Sequence, residues 1–154
     1  VVGIAAAVVA SSQPGAERWL ATWLLAAVVA FAIGVWSIVR KAARAGVPLT
    51  GSLGRRFALS LAAPLLAGAA LTFALVQSGQ HQLLPGMWLL LYGAGIVTGG
   101  VVSIRVVLTL GWCLMALGVL ALVTPPAWGD VWLGAGFGLL QVIFGRYIWR
   151  KHGG

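Results

Sequence analysis

The stretch Trp19-Leu20-Ala21-Thr22-Trp23-Leu24-Leu25-Ala26-Ala27-Val28-Val29-Ala30-Phe31-Ala32-Ile33-Gly34-Val35-Trp36-Ser37-Ile38-Val39 contains no charged residue, and Arg40, Lys41 and Arg44 follow it closely. At about 1.5 Å per residue, a helix of this length covers the ~30 Å hydrocarbon core of a bilayer. Apolar character that stops abruptly at a cation cluster reads as a transmembrane helix with its end fixed at the headgroups.

Working outward, the same pattern recurs. Further full spans are expected over 57–76, 86–102, 106–123 and 131–149. The run Val1–Ala10 is too short to cross and is expected to be the second half of a span, closed by Ser11-Ser12-Gln13-Pro14-Gly15. A loop containing Gly46, Pro48, Gly51 and Gly54 separates the second and third spans. Pro64 is expected to kink the third span, and Pro85 to open the fourth, where a missing N–H costs nothing. Gly99-Gly100 reads as the start of a very short turn before Arg105. The expected fold is therefore all-α: a single transmembrane domain over 1–154, with five full transmembrane helices plus one truncated N-terminal span.

Composition excludes the alternatives. A soluble domain carries about 25% charged residues, whereas this chain carries 8% and is 61% hydrophobic. Cys113 is the only cysteine, so no internal disulfide can form and a thiolate metal site is not expected. The net charge of +8 reads as a topology signal rather than a nucleic-acid footprint. In an alternating path, Arg40, Lys41, Arg44, Arg55, Arg56, Arg105, Arg146, Arg150 and Lys151 fall on one side, with Glu17, Arg18 and Asp130 on the other. The positive-inside bias makes the first side cytoplasmic, with the C-terminus there.

Trp19, Trp23, Trp88, Trp128 and Trp132 fall near expected outer ends, and Trp36 and Trp149 near inner ends, as an interfacial aromatic belt requires. Trp112 alone falls well inside a span. The outer turns resemble one another: Pro14-Gly15 before Trp19, Pro85-Gly86 before Trp88, Pro125-Pro126 before Trp128. They suggest three helical hairpins, a pattern that common membrane constraints would also produce. Lipid offers no hydrophobic drive between helices, so small residues become the packing device. Gly95 with Gly99, and Gly134 with Gly138, are the expected packing pairs, with Ala30–Gly34 and Ala63–Ala67 beside them.

Chemistry has few places to reside. No Asp, Glu, Lys or His falls within an expected span, which argues against ion or proton coupling. No catalytic residue, cofactor or metal site is expected. Glu17, His81 and Asp130 share one side, yet lack metal-ligand spacing. Arg105 reads either as a snorkelling arginine or, with Arg55 and Arg56, as a contact for anionic lipid headgroups.

The run Leu84-Pro85-Gly86-Met87-Trp88-Leu89-Leu90-Leu91-Tyr92-Gly93 stands with Thr98-Gly99-Gly100, Ala127-Trp128-Gly129, Gly136-Phe137-Gly138 and the ending Arg150-Lys151-His152-Gly153-Gly154. Together they resemble an uncharacterised family of small bacterial inner-membrane proteins with about six transmembrane helices. The resemblance extends from about Trp19 to the C-terminus and implies a multi-pass location in the bacterial cytoplasmic membrane. It supplies no activity, substrate or catalytic residue.

The sequence thus points to a non-enzymatic polytopic membrane protein, acting as an accessory or scaffold subunit of a membrane assembly. Other membrane subunits or further copies of the chain are the expected partners, alongside membrane lipids. The alternative is a small transporter or exporter of an apolar or lipid-like solute, which would place Thr72, Tyr92, Thr98 or Thr109 around a cavity.

Overall fold

The computed structural model describes residues 1–13, 15–45, 52–100 and 105–152. Helix α1 spans Val2–Ser11, α2 Ala16–Ala45 and α3 Ser52–Gln77. A 3₁₀ turn over His81–Leu83 leads into α4, Leu84–Gly100, and α5 is Arg105–Val123. A second 3₁₀ turn, Pro126–Trp128, opens the last helix. That helix comprises α6 (Gly129–Leu133), a π-helical stretch (Gly134–Leu140) and α7 (Gln141–His152) without a break. Among the described residues there is no strand.

Five helical segments are long and apolar enough to cross a membrane: Ala16–Ser37, Leu59–Gln77, His81–Gly99, Arg105–Val123 and Pro126–Lys151. The shorter apolar α1 joins them. Several helices outrun their expected spans. α2 continues to Ala45 and carries its cation cluster on the helix, since Ala, Arg and Lys are strong helix formers. Gly54, expected in a loop, lies in the first turn of α3, and α3 runs uninterrupted through Pro64. The turn expected to begin at Gly99 does not begin there, because α4 is helical through Gly100. The rest of the loop around Gly46, Pro48 and Gly51, and the stretch 101–104, lie outside the described residues.

The bundle is built on the antiparallel pair α4–α5, where backbones approach at glycines. A Cβ placed on Gly86 would lie 2.9 Å from the Gly118 carbonyl oxygen, and one on Gly93 would lie 2.8 Å from that of Gly111. Gly111 and Gly118 return the relationship, each at 3.0 Å from the partner carbonyl. Seven residues forward along α4 match seven back along α5, so one face of each helix meets the other in constant register. Leu84, Leu89, Leu114 and Leu133 are fully buried around this seam.

The π-helical stretch lies between that pair and α1. Gly136 faces Leu89 and Leu114, while Gly134 faces Ala7. A Cβ on Gly3 would meet the Phe137 backbone at 2.5 Å, and one on Gly138 would meet Ile4. Small residues three to four apart on both elements let α1 settle onto backbone. α3 packs against α4, with Leu61 and Pro64 over Gly95. α2 is the peripheral helix: it touches α1, and its residues 27–37 are all exposed, including Phe31 at 66% and Trp36 at 60%.

Candidate functional site

Asp130 stands in the first turn of α6, where a carboxylate complements the partial positive charge of a helix N-terminus. Its Oδ1 accepts two indole N–H groups, from Trp19 at 2.7 Å and from Trp23 at 2.9 Å. Trp19 and Trp23 are four apart on α2, hence on one face of it. Hydrogen bonds to an ionised acceptor are roughly twice as strong as neutral ones. Trp23 is 4% exposed, so its N–H would otherwise be buried without a partner.

The cluster extends sideways. The Trp19 ring stacks on Trp88, with centroids 5.8 Å apart and planes 8° from parallel. Trp88 Nε1 donates to Thr72 Oγ1 at 2.9 Å, and that hydroxyl donates to the Gly68 carbonyl at 2.6 Å. Trp132 Nε1 donates to Thr124 Oγ1 at 2.8 Å, and Thr124 donates to the Leu120 carbonyl at 2.7 Å. A chain of ring stacking and hydrogen bonds therefore ties α2, α3, α4 and α6 together at the end of the bundle that carries Glu17 and Asp130.

The three outer turns converge beside it. Gln13, Gly15, Trp19, His81, Gln82, Pro85, Pro126, Gly129 and Asp130 border a cavity of about 280 Å³. His81 Nδ1 is shielded from solvent and has no hydrogen-bond partner. His81 and Asp130 thus share one wall, while Glu17 is exposed and is not on it. Among the described residues no three of His, Cys, Asp and Glu come together.

At the opposite end, α5 and α7 leave a groove of about 300 Å³ lined by Val106, Thr109, Ile143, Phe144 and Tyr147. Lys151 Nζ lies 5.1 Å from the centroid of the Tyr147 ring. Arg105 is the first residue of α5, exposed and next to Val106. Arg55 is exposed on α3, so it and Arg105 stand on different helices. The Arg56 side chain lies outside the described residues.

Gly95 meets Leu61 and Pro64 of α3, Gly99 is buried, and Gly134 and Gly138 meet Ala7 and Ile4 of α1. Sequence reasoning missed the seam of Gly86, Gly93, Gly111 and Gly118. Its signal is a repeated spacing of seven on two consecutive spans, visible only when both are read as a pair. It also missed Asp130 as an indole acceptor. Of the hydroxyl residues named for a solute path, Thr109 lines the groove and Thr72 is engaged with Trp88. Thr98 bonds back to the Ala94 and Gly95 carbonyls, and the Tyr92 ring meets Phe137 edge-on at 5.3 Å.

Fold and site together define an all-α, multi-pass membrane protein with a tryptophan-clasped carboxylate at one end and an apolar groove with cations beside it at the other. Compared with protein-family models, curated proteins and solved structures, the chain matches none.

Proposed function

We propose that this protein is a non-enzymatic packing subunit, assembling laterally with other membrane helices or with further copies of itself. The observation carrying this reading is an open small-residue face on α2, with a second open glycine on α7. Gly34 on α2 and Gly145 on α7 have nothing within 4 Å of a Cβ built on them, whereas ten other glycines would bring a Cβ to 3.0 Å or less of a neighbour on another helix. Within this chain, close helix packing and glycine go together, and α2 offers Ala30 and Gly34 at the same spacing as the occupied pair Gly134 and Gly138. Small-xxx-small faces are how membrane helices recognise one another.

The reading includes the bacterial cytoplasmic membrane as location, which rests on the resemblance of the sequence, and a cytoplasmic C-terminus, supported by the cations at the ends of α2 and α7 and the starts of α3 and α5. Anionic headgroups on that side are the proposed lipid contacts of Arg55, Arg56 and Arg105. The test is mass in mild detergent, measured by light scattering after membrane extraction. The expected particle exceeds the 15.9 kDa of one chain, and the pair Ala30→Leu with Gly34→Leu reduces it to one chain of unchanged helicity. A wild-type particle of a single chain overturns the reading.

A further inference from the structure

The groove between α5 and α7 combines two properties. Its lining is apolar apart from the Thr109 hydroxyl and the Tyr147 phenol, and the Thr109 hydroxyl is already spent on the Arg105 carbonyl at 3.1 Å. Its rim is cationic: Lys151 sits over the lining Tyr147, and the exposed Arg105 opens α5 one residue before the lining Val106. That helix end adds its own partial positive charge to the arginine. No acid faces these cations, since both acids of the chain, Glu17 and Asp130, begin α2 and α6 at the other end of the bundle.

An apolar slot opening beneath unpaired cations suits an amphipathic anion. A neutral solute would leave the cations unused, and a free phosphate would leave the slot unfilled. We infer that the α5–α7 groove is a binding site for one anionic phospholipid, with an acyl chain against Val106, Ile143 and Phe144 and the phosphate between Arg105 and Lys151. The site is thus built from α5 and α7, and Arg55 on α3 takes no part in it. The inference concerns a lipid held by one chain and stands or falls independently of lateral assembly.

The test uses the whole protein in a neutral detergent, with lipid retention read by native mass spectrometry against added phosphatidylglycerol or phosphatidylcholine. Phosphatidylglycerol is expected to be retained in preference, with one molecule bound more tightly than any other. Each cation near an anionic headgroup is worth about a fivefold change in affinity. Arg105→Gln and Lys151→Gln are therefore each expected to weaken retention about fivefold, and together about 25-fold. Arg55→Gln should change it less than twofold. Val106→Phe and Thr109→Phe, which fill the slot and keep every charge, are expected to abolish the tight site in protein of normal helicity.

Equal weakening by Arg55→Gln and Lys151→Gln overturns the inference in favour of diffuse surface charge. Equal retention of the two lipids overturns it in favour of a charge-blind acyl slot. Slot-filling variants that lose a second protein copy, with lipid retention unchanged, overturn it in favour of a protein occupant.

Discussion

The carboxylate of Asp130 and the indole of Trp23, 107 positions apart in the chain, are joined by a 2.9 Å hydrogen bond. The same oxygen holds Trp19, so a single atom anchors two turns of α2 onto α6. This matters because α2 is otherwise held chiefly by α1 and the Trp19–Trp88 stack among the described residues, with 6% of its membrane window buried. Asp130→Ala leaves two indole N–H groups without their acceptor, at about 1–3 kcal/mol for a buried donor. The expected loss is about 2–4 kcal/mol in reversible unfolding in detergent, with Asp130→Asn losing about half as much because one acceptor oxygen remains. Equal stability of Asp130→Ala and wild type would show that the clasp contributes nothing.

The glycine seam makes a sharper prediction. Gly93→Ala and Gly111→Ala each drive a methyl against a carbonyl oxygen of the facing helix, at 2.8 and 3.0 Å. Overpacking of this kind costs about 1–3 kcal/mol. Gly145→Ala, with open space around it, is expected to be neutral or slightly stabilising within one chain. Thermal unfolding of the three variants side by side checks the ordering.

Much of this architecture was legible in the sequence, for a reason specific to lipid. A bilayer demands runs of about 20 apolar residues with all backbone groups bonded internally, so span count and path are written in hydropathy. Which helix touches which is written far more faintly. Gly95 and Gly99 read as one packing pair, yet Gly95 meets α3, while the α4–α5 seam uses Gly86 and Gly93. Both sets occupy one short helix, and spacing alone does not say which face meets which neighbour. Asp130 was legible as a marker of side, but its partners were not, since Trp19 and Trp23 already had a sufficient explanation at the headgroup boundary.

Trp88 and Thr72 provide an independent link between α4 and α3, through a 2.9 Å hydrogen bond. Interhelical hydrogen bonds in membranes average roughly 0.6 kcal/mol. Thr72→Val and Trp88→Phe should therefore be non-additive by about that amount in a double-mutant cycle. Full additivity would mean that the bond contributes nothing beyond its separate parts.

The seat of α1 can be tested without disturbing the seam. Gly138→Leu places a large side chain where Ile4 and the Gly3 backbone lie. It is expected to release α1 while α4 and α5 stay paired. Hydrogen exchange is expected to rise over Val2–Ser11 in that variant and to stay unchanged over Leu84–Gly100 and Arg105–Val123.

The π-helical stretch Gly134–Leu140 gives the last helix two independently phased halves. A π turn accommodates an extra residue, so α6 and α7 point their faces by a different rule than an unbroken α-helix would. Deleting one residue from this stretch would rewind α7 by about 100° relative to α6. The Asp130 clasp would then keep its aim, while Tyr147 and Lys151 would swing away from Val106. A single codon's length in this run of glycines therefore re-aims the basic end and, because Gly134 and Gly138 seat α1, shifts the bed of that helix with it.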